Sequence, residues 1–261
     1  MKHGILLAAF GSGSPQGEST LKLFDAQVRV RFAGMPVRWA FTSWLLRERL
    51  ARVRKKTDSV KKALQKMWFE KYTHVAVQPL QIIPGNEYAE LLAEVEAMRG
   101  ERGFAVAVAG APLLATEADV AAAAAAVMRH LPAERRCGDP VVLMGHGARH
   151  EAVARYGDLA RAVYAHDPHV HVGTMNGATT LEDILPRLER GQRVWLMPLL
   201  SVVGRHALND MAGSAAHSWR SRIEAQGCTC EPVLKGTAEY AGFIDIWLDH
   251  LEDAINKMAV E

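Results

Sequence analysis

Eight short apolar runs punctuate the chain, at residues 5–10, 37–41, 74–77, 104–108, 141–144, 170–172, 194–200 and 230–234. They do not alternate polar with apolar positions, so they predict strands buried on both faces, as in a parallel sheet covered by helices. Between them lie segments of helical period at 18–31, 42–54 continuing into 59–71, 87–99, 116–130, 150–166, 180–190, 206–226 and 240–258. Gly100 sits at a good C-cap position, and Thr116 with Asp119 makes a capping arrangement before the alanine-rich run. This β-α order predicts an α/β fold of two similar doubly wound lobes with parallel sheets. The aperiodic stretch 131–139 is the natural seam, giving lobes 1–131 and 132–261.

The second half also reads as a chemically altered copy of the first. Gly4-Ile-Leu-Leu-Ala-Ala-Phe-Gly-Ser12 returns as Val141-Val-Leu-Met-Gly-His-Gly-Ala148, with His146 where Phe10 stood. Val37-Arg-Trp-Ala-Phe-Thr-Ser43 resembles Val170-His-Val-Gly-Thr-Met-Asn176. Pro79 aligns with Pro198, 119 residues on, which lays Gly85 on Gly204 and Glu87 on His206. In open α/β sheets ligands bind beyond the carboxyl ends of the strands, where all these positions fall, so the loops of two facing lobes are expected to line one cleft.

Composition narrows the classes. Lys and Arg total 31 against 29 Asp and Glu, a net charge of +2 that argues against a dedicated nucleic-acid binder. A local basic stretch from Arg47 to Lys62 reads as a solvated helix face, with steering of an anionic ligand as the minority option. The three cysteines, Cys137, Cys228 and Cys230, make neither a zinc motif nor a disulfide framework and suit a reducing compartment. The basic-then-apolar start reads as a first buried strand rather than a signal peptide, and no run approaches a membrane span, so a cytoplasmic protein is expected.

Of the eleven histidines, two differ from the rest. Gly145 and Gly147 bracket His146, which lets the backbone turn sharply and a bulky ligand approach the imidazole. His206 opens a helix after Gly204-Arg205. Two imidazoles with open positions make a weak site for a divalent metal such as Co²⁺, Ni²⁺, Fe²⁺ or Zn²⁺, and equally suit general-base work. His150 is a weak candidate for support, and packing is the default for His217. Gly11-Ser-Gly-Ser14 lacks the glycines and lysine of nucleotide-binding loops, while its hydroxyls and amides would suit carboxylates.

At Met144-Gly-His-Gly-Ala148, Met197-Pro-Leu and Gly204-Arg-His-Ala-Leu-Asn-Asp-Met211 the chain resembles the cobalt chelatases of the anaerobic cobalamin pathway, in the class II chelatase superfamily that includes ferrochelatase. Ala9–Ser12, Ala40–Ser43, 77–88 and Ala111–Leu114 support the resemblance over nearly the whole chain. It implies a chelatase-like fold with a tetrapyrrole between the lobes. It also implies ATP-independent insertion of Co²⁺, the substrate metal, into sirohydrochlorin, a macrocycle bearing eight carboxylates. No nucleotide, organic cofactor, nucleic acid or membrane is implied, and a homo-oligomer is admissible. His146 and His206 fall on the metal-binding, catalytic positions, with Phe10, Gly11, Ser12, Glu87 and Asn176 expected to contact substrate. Asn176 stands where the family, as aligned, carries a glutamate. An amide is a poorer ligand and no base, leaving Glu182, Asp183 or Glu87 to compensate. Iron insertion for sirohaem, a non-catalytic tetrapyrrole or metal carrier, and a histidine hydrolase are the rivals. The absence of a Gly-x-Ser-x-Gly elbow counts against the last.

Overall fold

The computed structural model describes residues 1–100 and 103–260. Every strand expected from the apolar runs is present: β1 (His3–Ala9), β2 (Val37–Phe41), β3 (His74–Pro79), β4 (Val106–Ala109), β5 (Val141–Gly147), β6 (Val170–Asn176), β7 (Arg193–Leu199) and β8 (Thr229–Pro232). The α-helices are α1 (Pro15–Arg31), α2 (Trp44–Arg52), α3 (Val60–Phe69), α4 (Asn86–Glu96), α5 (Glu117–Arg129), α6 (Ala154–His166), α7 (Leu181–Ile184), α8 (Trp219–Ala225) and α9 (Ala241–Val260).

The strands form two four-stranded parallel sheets, ordered β2-β1-β3-β4 and β6-β5-β7-β8, the same permutation twice. Their registers carry the internal copy down to single residues. Ile5 pairs with Val37 in one sheet and Val141 with Val170 in the other. Ala8 pairs with Pro79, and Met144 with Pro198. Phe10 and His146 therefore stand two residues beyond matched points on the central strands, and Glu87 and His206 eight beyond matched prolines.

The chain divides into two compact units, Met1–Leu113 with Ile244–Glu261, and Leu114–Phe243. The expected seam at 131/132 differs from this division at both ends. The alanine-rich α5 belongs to the second unit, and nearly all of α9 belongs to the first. In the first unit, Leu6, Ala8, Val75 and Val77 pack with Val60, Leu64 and Met67 of α3 and Leu91 and Val95 of α4. Strand alternation turns Ile5, Leu7 and Ala76 to the opposite face. The α1 residue Phe24 meets Trp247 of α9 edge to face, 6.0 Å between ring centroids, and both side chains are fully buried. In the second unit, Val142, Met144, Val194 and Leu196 pack with Leu181, Ala207, Met211, Trp219 and Ile223. Cys228 and Cys230 belong to that same core, and burial pushes the Cys230 thiol up to about 12.

Three expected helices are interrupted. The segment running 42–71 breaks after Arg52, where Arg54 adopts φ 60° and Ser59 caps a new helix at the Lys62 amide. The 180–190 helix is one α-turn, Leu181–Ile184, followed by a 3₁₀ turn over Leu185–Arg187 that contains Pro186. The 206–226 helix is a π-helical turn, His206–Met211, separated from α8. At Gly213 a Cβ would lie 2.3 Å from the Asn209 carbonyl oxygen, so only glycine follows the wide turn so closely.

His171, on β6, is buried, and its pKa is pushed down to about 4, chiefly by desolvation and further by the Arg187 and His169 charges. A free imidazole takes up its proton near pH ~6.5. Between that value and about 4 the unfolded chain thus binds the extra proton, and stability falls as pH is lowered. Denaturant midpoints measured from neutral pH downward are expected to drop across this window. His171→Gln is expected to make the drop shallower.

Candidate metal centre

His146 is the penultimate residue of β5, at the carboxyl end of the central strand of its sheet. The two flanking glycines are there for different reasons. At Gly145 a Cβ would lie 2.5 Å from the Tyr156 ring. At Gly147 the backbone has φ 76°, and a Cβ would fall 1.6 Å from the carbonyl oxygen of Asn176, its β6 partner. The strand end is thus pressed against β6 on one side and α6 on the other. Tyr156 closes the arrangement: its hydroxyl bonds to the backbone at His146 and Gly147, and burial drives its phenol pKa up. The His146 ring itself is exposed, with Nδ1 2.9 Å from the Gly147 carbonyl oxygen.

The other imidazole is built by the π-helical turn. Leu199 ends β7, and after a short loop the chain enters His206–Met211, where the Ala212 amide donates to the Ala207 carbonyl across the five-residue span of such a turn. Ala207 and Met211 anchor the turn in the core. His206 and Asp210 then lie one turn apart on the accessible side, with Nδ1 2.6 Å from Asp210 Oδ2. The two imidazole centroids are 5.0 Å apart at an interplanar angle of 70°.

Hydrogen bonding determines which nitrogens remain. A carbonyl oxygen only accepts, so Nδ1 of His146 carries the proton, and the Asp210 carboxylate imposes the same tautomer on His206. Both Nε2 lone pairs are left for a ligand. A carboxylate or carbonyl behind each imidazole is the outer support that metal-binding histidines need. Among the described residues no group of three or more His, Cys, Asp and Glu is gathered as a metal cage. A metal on this pair would keep open coordination positions, unlike one in a closed structural cage.

Two of the carboxylates considered as third ligands are engaged elsewhere. Asp183 caps α7 through the Thr180 amide at 2.7 Å, and Glu182 pairs with Arg222 at 2.8 Å. Asn176 ends β6 with its side chain exposed. An open cavity of about 490 Å³ reaches Asp210 and is also lined by Thr174, Glu182, His217 and Arg222. His217 is exposed there rather than packed, just ahead of the Ser218 cap of α8. His150 caps the turn before α6 by accepting from the Ala152 amide.

In the first unit, Phe10 is 45% exposed beyond β1. Gly11 has φ 93° and no room for a side chain beside Leu46 and Phe41. Ser12 is buried and hydrogen-bonded to Ser14, whose own hydroxyl caps α1 at Gly17. Glu87 is exposed in the first turn of α4, and the Thr42 hydroxyl donates to it at 3.4 Å. Two residues that support the imidazole pair, Asp210 and Tyr156, are given no role by the sequence reading. Asp210 was legible as a His-x-x-x-Asp pair at turn spacing. Tyr156 left no local signal, since it reaches the Gly-His-Gly turn from another element.

The sequence model of the family described as cobalt chelatase (CbiK) matches residues 3–256. The sirohydrochlorin cobaltochelatase CbiKC of Nitratidesulfovibrio vulgaris is 64% identical over 98% of this chain and 92% of its own length. The sirohydrochlorin cobaltochelatase of Salmonella typhimurium is 34% identical over 100% of this chain and 99% of that one. Among solved structures, the sirohydrochlorin chelatase SirB of Bacillus subtilis subspecies spizizenii in complex with cobalt aligns with a TM-score of 0.65 at 15% identity, over 99% of this chain and 98% of that one. At that identity the likeness is one of fold.

Asp210→Asn keeps the shape at His206 but removes the charge that holds Nδ1–H. It is expected to weaken Co²⁺ binding by about 10–100-fold in a direct titration. Gly147→Ala is expected to lower the unfolding midpoint, because its Cβ has no space against Asn176.

Proposed function

The chain belongs to the cobalt chelatase (CbiK) family, and from that membership we propose that it inserts Co²⁺ into sirohydrochlorin, giving cobalt-sirohydrochlorin for anaerobic cobalamin biosynthesis without nucleotide hydrolysis. It is a metal chelatase. The observation that carries the assignment to this chain's residues is the imidazole pair, 5.0 Å apart, with both Nδ1 atoms hydrogen-bonded.

Insertion forms four metal–nitrogen bonds, strips the metal of its water ligands and releases two pyrrole N–H protons. His146 and His206 hold Co²⁺ through Nε2 while it exchanges water for macrocycle nitrogens, and an imidazole vacated by the metal accepts a departing proton. Asp210 stabilises the His206 imidazolium formed in that role and keeps the ring oriented. Two imidazoles make a weak site, which suits an ion that must be handed on rather than kept. Phe10, Gly11, Glu87 and Asn176 are assigned to the substrate, and Ser12 to shaping the turn that presents Phe10. The three free cysteines support a reducing, cytoplasmic setting, and among the described residues no helix is long and apolar enough to cross a membrane.

The test is turnover. Substoichiometric protein is expected to convert many equivalents of sirohydrochlorin with Co²⁺, followed by the visible absorption change, and more efficiently than with Fe²⁺ or Ni²⁺. A single stoichiometric event would instead mark a carrier. His146→Ala and His206→Ala are each expected to cut kcat by about 10²-fold or more. Normal turnover by either variant removes that histidine from the mechanism.

A further inference from the structure

One exposed surface of the first unit is not used by the histidine chemistry. Trp44 and Leu45, the first two residues of α2, are 63% and 60% exposed. Trp44 and Leu45 make an adjacent exposed apolar pair, the kind of surface that marks a binding face. Phe10 is exposed at the same end of the sheet. Ala9 pairs with Phe41 at the ends of β1 and β2, which puts Phe10 and the start of α2 at one sheet edge. The turn between is tightly held: a Cβ on Gly11 would lie 2.6 Å from Leu46, and Arg47 donates to the Phe41 and Thr42 carbonyls at 2.5 and 2.8 Å. The ridge is therefore fixed before any ligand arrives.

Charge follows on the same helix face. Leu45, Arg49 and Arg52 recur at the spacing of successive helical turns. Arg49 and Arg52 are exposed and have no carboxylate partner among the described residues, whereas nearby Lys55 is paired with Glu18. An apolar aromatic ridge beside unpaired guanidinium groups complements a flat conjugated ring with an anionic rim.

We propose that Trp44 and Leu45, with Phe10, receive the face of the tetrapyrrole, and that Arg49 and Arg52 hold carboxylates at its rim. The assignment rests on the sirohydrochlorin reading above and adds to it a docking surface separate from the metal-holding imidazoles.

The experiment measures the Kd of the full chain for metal-free sirohydrochlorin, and steady-state turnover with Co²⁺, in parallel. Trp44→Ala, and Arg49→Glu combined with Arg52→Glu, are each expected to weaken binding about tenfold or more and to raise KM with kcat little changed. Trp44→Phe is expected to restore most of the affinity. Wild-type affinity should fall with added salt, and that dependence should flatten in the double arginine variant. Phe69→Ala, 70% exposed at the last residue of α3, is the control and should bind as wild type. Wild-type Kd in the Trp44 and arginine variants, with normal wild-type turnover, overturns the docking surface and leaves the chelatase reading standing. A Trp44→Ala variant that changes oligomeric state in sedimentation but not Kd also overturns it, assigning the face to a second copy. Wild-type protein that neither binds nor metallates sirohydrochlorin overturns both.

Discussion

Each imidazole of the facing pair is held at Nδ1, His146 by the next residue's carbonyl and His206 by Asp210. Most of the local architecture follows from that constraint. The carbonyl of Gly147 can face back to His146 only because the backbone there takes a left-handed turn against Asn176. Asp210 reaches His206 because the turn carrying both is wound as a π-helix, anchored from below by Ala207 and Met211. Tyr156 secures the first strand end, and the glycine at 145 exists to admit its ring. The sheet supplies location, but these few contacts supply orientation and tautomer, and they do so without a closed cage around the pair.

The strands were legible because strands buried on both faces leave an unmistakable compositional trace. The internal copy was legible for a related reason, since identical strand order and register keep equivalent residues at regular offsets. Ala8–Pro79 and Met144–Pro198 are equivalent pairs in the two sheets, so the sequence offset is also a structural one. The two histidines stood out against that background because their counterparts, Phe10 and Glu87, are chemically unlike them.

What was not legible depends on geometry that period and composition do not encode. A π-turn and an α-helix share much the same apolar spacing, so the break after Met211 was invisible until Gly213 was seen against Asn209. The left-handed Arg54 is an arginine, a residue with no turn signature. The unit boundaries depend on where α5 and α9 pack rather than on where the repeat ends, so a seam drawn from loop composition fell elsewhere. Trp44 and Leu45 fall in a segment of helical period, and only their exposure separates them from residues that face a core.

The duplicated strand frame has a consequence for the donor set. Two copies of one scaffold could have offered two imidazole pairs. Phenylalanine at 10 cannot ligate a cation, and a carboxylate at 87 is left without an imidazole beside it at that frame position. At these frame positions only the second half offers a pair of imidazole nitrogens, so the duplication repeats the scaffold without repeating the donor set.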